Sequence, residues 1–215
     1  MIKAIIFDVD GTLVDSNEIA VKCIQKSAKE LNLKIPDRNK IHSFWGRSLK
    51  YMVNNLWKNY DHHKFRRYYF NCLEKHKIKQ IPGAKAVIKK LKKEYVLGIV
   101  SGKARLTMLR QFKYMGIDKN DFKFLLSADD TKFHKPDPKV FAKGVRKLKG
   151  INKKEILYVG DFIMDYLAAK IEGFQFVAVL SGFGKRKEFL ENGLKNKNIL
   201  KSIKDLPKWL DKNYV

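Results

Sequence analysis

The run Ala4-Ile5-Ile6-Phe7 leads directly into Asp8-Val9-Asp10-Gly11-Thr12, and this join decides how the rest of the chain is read. Four apolar residues that stop at acids and a glycine predict a short buried strand ending at a polar edge. In a parallel sheet that carboxyl edge is where ligands bind. Asp8 and Asp10 are two residues apart, so on an extended chain their side chains lean the same way. Gly11 lets the backbone turn away without a Cβ penalty. Two carboxylates crowded there need a cation, a shared proton, or both.

Outward from this strand, placed at residues 2–8, the pattern changes to helical spacing. Ile19, Ala20, Cys23, Ile24, Ala28 and Leu31 recur at intervals of three and four, with Ser16 or Asn17 as the N-cap. After the Pro36-Asp37 break, residues 38–80 read as wholly helical, with no strand signal between about 15 and 80. Ile81-Pro82-Gly83 is a second break, and alternation begins there. Strands are expected at 96–100, 124–126, 156–159 and 176–180, with helices at 84–94, 104–115, 139–149, 163–172, about 185–192 and about 203–213. The pattern predicts an α/β fold with a doubly wound, mostly parallel sheet covered on both faces. Residues 1–14 and 82–215 would form this core domain, and residues 15–81 a helical cap inserted above Asp8.

Composition narrows the class. At 215 residues and 45% hydrophobic, the chain can bury a good core. It holds no apolar stretch of membrane-spanning length, and Asp8 and Asp10 interrupt the only early apolar run, against a signal peptide. A cytoplasmic protein is expected, with Cys23 and Cys72 as buried free thiols because they lack metal-type spacing. The net charge of +24 raises nucleic-acid binding as a function. Lys and Arg are scattered along the whole chain rather than gathered in a stripe, which favours a lysine-rich surface, as in thermophilic proteins. Whether the protein is a monomer or a homodimer stays open.

Further polar groups fall just beyond the other strands. Ser101 follows Val100, Gly160-Asp161 follows Val159 with Asp165 four residues on, and Lys135 sits between a strand and a helix. Singly, each reads as a cap, a turn or a solvated charge. In a doubly wound sheet they converge on the edge that holds Asp8. Asp8, Asp10, Asp161 and Asp165 would place up to four carboxylates around one point, and their repulsion calls for a divalent cation. All-oxygen ligands suit Mg²⁺. With the charge of Lys135 and the hydroxyl of Ser101 added, the set matches a phosphoryl group. Asp8 could attack phosphorus, and Asp10 could exchange a proton with the leaving oxygen and then with water. His62-His63 lack metal spacing, and no GxxxxGK[ST] or GxSxG motif is present.

Asp8-Val9-Asp10-Gly11-Thr12, Ser101, Lys135-Pro136-Asp137-Pro138 and Gly160-Asp161 with Asp165 resemble, in order, the four motifs of the haloacid dehalogenase-like hydrolases. The likeness spans essentially the whole chain. It is greatest to the phosphoglycolate phosphatase and β-phosphoglucomutase branch. The resemblance implies that Asp8 is the nucleophile and a Mg²⁺ ligand. It implies that Asp10 is the general acid/base with its carbonyl on the metal, and that Asp161 ligates Mg²⁺ with the support of Asp165. Ser101, Gly102 and Lys135 would hold phosphoryl oxygens, and Gly11 and Thr12 would shape the phosphate cradle. Asp10 favours phosphomonoester chemistry, because dehalogenase relatives lack an acid there. Ser101-Gly102-Lys103 departs from the Thr-Asn-Lys common in relatives. In the cap, Phe44-Trp45-Gly46-Arg47-Ser48 resembles the substrate-reaching stretch. Gly46 would allow close approach, and Arg47 and Lys50 could meet a second anionic group. Trp45 and Trp57 are read as cap core. The expected activity is a phosphatase for a small phosphorylated metabolite. A mutase moving phosphate within a sugar would use the same residues, and nucleic-acid binding is the distant alternative.

Overall fold

The computed structural model describes residues 1–214. Its central sheet has six parallel strands in the order β5-β4-β1-β6-β7-β8. These are β1 (Ala4–Phe7), β4 (Val96–Val100), β5 (Phe124–Leu126), β6 (Ile156–Gly160), β7 (Gln175–Val179) and β8 (Ile199–Leu200). β1 lies at the centre, with Phe7 opposite Ile99 on one side and Val159 on the other. Its residues alternate between the faces, as strand geometry requires. Ile5 and Phe7 join a core with α5 (Ala84–Leu91), α6 (Arg105–Met115) and α10 (Leu206–Tyr214). Ala4 and Ile6 join the opposite core with α7 (Ala142–Val145), α8 (Ile163–Glu172) and α9 (Arg186–Glu191). A strand apolar on both faces is the mark of a sheet with helices on both sides.

Four helices follow β1: α1 (Asn17–Glu30), α2 (Arg38–His42), α3 (Leu49–Leu56) and α4 (His62–Glu74). They enclose their own cluster around Val21, Ile24, Ile41, Met52, Val53, Trp57 and Phe65. The segment leaves and re-enters the core through two short strands paired antiparallel, β2 (Val14–Asp15) and β3 (Lys79–Gln80).

Several details differ from the sequence reading, among them β8, an edge strand of two residues that the pattern does not predict. The β2–β3 ribbon lies within a stretch read as free of strands; strands of two residues are too short to show a period. The helix expected at 139–149 is a 3₁₀ turn over Pro138–Phe141 followed by the single-turn α7. Gly144, a poor helix former, sits there because a Cβ would come within 2.7 Å of the Phe124 ring. Ser16 occupies the N-cap position of α1, but its hydroxyl donates to Asp10 instead of capping the helix. Finally, Cys23 and Cys72 are not free thiols. They form a disulfide that joins α1 to α4, with Cα atoms 5.5 Å apart across 49 residues of sequence. The pairing arises from the packing of α1 on α4, which the spacing of two isolated cysteines does not reveal.

Candidate active site

The residues that follow β1, β4 and β6 all open at the carboxyl edge of the sheet. Asp8 is the first residue beyond β1, and its backbone N–H donates to the Val159 carbonyl at 2.9 Å. This bond continues the β1–β6 ladder one step and fixes Asp8 at the edge. Asp161 follows β6, and Asp165 occupies the first turn of α8, where its Oδ2 accepts the Phe162 N–H at 3.0 Å. Asp8, Asp161 and Asp165 are buried and can each offer a carboxylate oxygen, all within 4.8 Å of one another.

Lys135 is the only cation inside this group among the described residues. It is 4% exposed. Its Nζ lies 2.9 Å from Asp8 Oδ1 and 3.0 Å from the Tyr158 hydroxyl, and it also donates to Asp165. Burial opposes its charge, but Asp165 and Asp8 outweigh burial and hold the ammonium well above its ordinary pKa. For the acids the balance goes the other way. Burial, then repulsion from Asp165 and Asp10, pushes Asp8 up to about 7 despite Lys135. Burial and the neighbouring Asp165 and Asp8 raise Asp161 well above the usual carboxylate range. One lysine therefore leaves three buried carboxylates short of positive charge. Asp161 has a cradle of its own: Thr12 Oγ1 at 3.3 Å, Asn17 Nδ2 at 3.4 Å and the Phe183 N–H at 3.1 Å all donate to it. Gly11 has φ +79°, and a Cβ on it would come within 2.3 Å of Asp161 Oδ2, so both conformation and space require glycine there.

Of the four acids placed at one point by the sequence, the structure gathers three. The Asp10 carboxylate turns aside to accept from Ser16 and from the Lys103 ammonium. Ser101 and Gly102 stand beside this pair. The Ser101 N–H extends β4 by donating to Leu126 O at 2.9 Å, and its hydroxyl oxygen accepts the Lys103 N–H at 3.2 Å. Asn17, Lys103, Tyr158 and Phe183 were not singled out as site residues. The agreement of Lys103 with the last residue of the Thr-Asn-Lys pattern is the one visible signal for it.

The cap closes over this edge. A cavity of about 620 Å³ lies between the two parts, lined at the core end by Asp8, Asp10, Ser101, Lys135, Asp161 and Asp165. Gly46, Arg47 and Lys50 line it from the cap. Trp45 also reaches the cavity, whereas Trp57 is core, donating its indole N–H to Lys34 O at 2.9 Å. Contacts at the rim tie cap to core. The Phe183 ring, from the loop after β7, stacks 3.9 Å from His42 and meets Trp45 edge-on at 4.8 Å. Ser48 Oγ and His134 Nε2 are 3.3 Å apart.

The haloacid dehalogenase-like hydrolase family pattern matches residues 5–179. Pyrophosphatase PpaX of Listeria monocytogenes serotype 4a is 33% identical over 178 residues, which cover 79% of this chain and 79% of that protein. Among solved structures, a hydrolase from Pseudomonas syringae superposes with a TM-score of 0.85 at 27% identity, covering 99% of each chain. A predicted phosphoglycolate phosphatase from Haemophilus somnus has the same fold, with a TM-score of 0.78 at 24% identity over 96% of this chain and 97% of that one. No described helix is long and apolar enough to cross a membrane.

Proposed function

The chain belongs to the haloacid dehalogenase-like hydrolases, and from that premise we propose a Mg²⁺-dependent phosphatase that hydrolyses small phosphomonoesters through an aspartyl-phosphate on Asp8. The observation that carries this reading is the single buried lysine shared by Asp8 and Asp165, beside a third buried acid. Such a set is short of positive charge, and a divalent cation supplies it. The donors are all oxygen, which suits Mg²⁺ and disfavours softer metals. The buried Asn17 Oδ1, without a hydrogen-bond partner, leaves a further acceptor near Asp161. Asp8, Asp161 and Asp165, with the backbone carbonyl of Asp10, would hold the ion. When bound, it offsets the repulsion between an attacking carboxylate and the phosphoryl oxygens.

The chain's own groups do the rest. Lys135 pins Asp8 through Oδ1, which leaves the second oxygen to attack phosphorus. The Lys135 ammonium, the Ser101 hydroxyl and the backbone of Gly102 receive the phosphoryl oxygens, with Gly11 and Thr12 shaping the turn beneath. Asp10, held by Ser16 and Lys103, gives a proton to the leaving oxygen. It then takes one from the water that attacks the aspartyl-phosphate, releasing phosphate and restoring Asp8. Residues 15–81 act as a cap that shuts water out during the first transfer and admits it for the second. Gly46, Arg47 and Lys50 face the substrate from that cap. A cytoplasmic setting is proposed; the Cys23–Cys72 disulfide fits there best in a hyperthermophile, where internal disulfides are common.

The test is a panel of phosphomonoesters, with pyrophosphate included because a relative bears that name, assayed with and without Mg²⁺. The expected result is Mg²⁺-dependent phosphate release that falls by about 10⁴-fold or more in Asp8→Asn. Release unaffected by that substitution overturns the mechanism. Conversion of a hexose 1-phosphate to its isomer, in place of release, would establish the mutase instead.

A further inference from the structure

Two groups of side chains among the described residues bring three metal-ligating atoms within 4.8 Å of one another. One is the set of Asp8, Asp161 and Asp165. The other is Cys23, Cys72 and His76, and its chemistry is the opposite, with sulfur and nitrogen in place of oxygen. The fold assembles it from α1 and α4. Cys23 and Cys72 meet where these helices pack, with Cα atoms 5.5 Å apart. Past the end of α4 the chain keeps turning: the Lys75 N–H donates to Cys72 O at 3.1 Å, and the His76 N–H to Leu73 O at 3.0 Å. His76 therefore comes round one turn after Cys72, on the same side. Both cysteines are buried in a cluster that includes Leu73 and Ile78, whereas His76 is exposed. The group thus has an apolar floor and opens to solvent at the imidazole. Four-coordinate zinc takes sulfur at about 2.3 Å and imidazole nitrogen at about 2.0 Å, which sets neighbouring ligand atoms roughly 3.5–3.8 Å apart. Atoms already within 4.8 Å of one another reach that spacing by side-chain rotation, without movement of the helices.

We propose that Cys23, Cys72 and His76 form a second metal site, for a soft divalent cation such as Zn²⁺, which opens when the disulfide is reduced. Reduction by a dithiol delivers two electrons and two protons to the bridge, leaving two thiols and converting the dithiol to its own disulfide. On metal binding both thiols release their protons to solvent, and the thiolates and the neutral imidazole take three positions on the ion. Water takes the fourth, on the exposed side. Thiolates select zinc and carboxylates select Mg²⁺, so the two sites prefer different ions. The consequence reaches the cavity, because α1 lines it with Ala20 and Ile24, and α4 with Tyr69, Phe70 and Leu73. Disulfide and metal are alternative cross-links of the same two cap helices, one for oxidising and one for reducing conditions.

The experiment reduces the full chain with dithiothreitol, removes the reductant under anaerobic conditions, and titrates with Co²⁺ and then Zn²⁺ in excess Mg²⁺, beside the oxidised chain. The expected result is a thiolate-to-cobalt charge-transfer band in the reduced chain alone, saturating at one ion per chain and bleached by Zn²⁺. Oxygen ligands give no such band, so the Asp8 set cannot imitate it. Cys23→Ser should abolish the band. His76→Ala, a change at an exposed residue, should keep the fold and weaken binding by about a hundredfold or more, since losing even a ligand's supporting partner costs ~10–100-fold. Far-UV circular dichroism reports whether the reduced chain and the variants stay folded. Absence of the band from the reduced chain overturns the proposal, as does loss of the fold on reduction or a band of equal affinity in His76→Ala. The readout does not depend on turnover, so its failure is distinct from a failure of the phosphatase reading.

Discussion

The two walls of the cavity handle charge in opposite ways. The core wall holds its groups against one another: Lys135 against Asp8, Asp165 and Tyr158, and Lys103 and Ser16 against Asp10. The cap wall leaves Arg47, Lys50 and Arg66 without acidic partners among the described residues and backs the two arginines with aromatic rings. A network in which each group fixes the next suits chemistry, which demands position. Cations that await a partner suit selection, where the partner arrives with the substrate. The two walls should therefore fail differently when altered.

The core wall should break hardest. Lys135→Met removes the cation that Asp8 and Asp165 share, and activity should fall by about 10³-fold. Folding stability should fall on the order of 3 kcal/mol, because the remaining acids lose their partner; kinetics and denaturant melts of the same variant check both. In the cap, Cys23→Ser with Cys72→Ser opens a loop of 49 residues and should lower stability by up to about 4 kcal/mol, read as an earlier melting transition. Because the disulfide touches no catalytic group, kcat at low temperature should change far less than in Lys135→Met. At the join between the walls, Phe183→Ala removes the ring packed against His42 and Trp45, and KM should rise up to about tenfold with a smaller change in kcat.

The smallest effect concerns the metal and pH. Without metal, Asp8 has a folded pKa of about 7 against 3.8 for the free group. Its proton is favoured in the fold, so its contribution to stability is present below about pH 4, declines as pH rises and is lost above about 7. In EDTA the melting temperature should therefore fall across that window, and the gain on adding Mg²⁺ should be larger at pH 8 than at pH 5. A gain that shrinks with rising pH would mean that the acids do not hold the ion.

The core wall was also the legible one. Asp8, Ser101 and Asp161 each follow an apolar strand, and an apolar strand announces itself within a few residues. Lys135, in the loop between β5 and the turn that begins at Pro138, lies on the same edge by topology. The turning aside of Asp10 could not be read, because it depends on Ser16 and Lys103, which lie in different loops. In the cap, helical spacing located α1 and α4, yet their mutual packing decides that Cys23 meets Cys72. Nothing in the spacing distinguishes Arg66 from the other basic residues of α4. Only the fold shows that it lines the same cavity as Asp8. Phe183 escaped for the same reason: an aromatic residue in a glycine-rich loop acquires a role only when the cap is laid against it.

The division of labour between the walls rests on Asp8 as the atom that takes the phosphoryl group. Acid-quenching the enzyme during turnover of a ³²P-labelled phosphomonoester, then mapping the label by peptide, tests this most directly. The account predicts a hydroxylamine-labile label on the peptide containing Asp8, formed only with Mg²⁺ and absent from Asp8→Asn. Label on another residue, or steady turnover by Asp8→Asn, would contradict it.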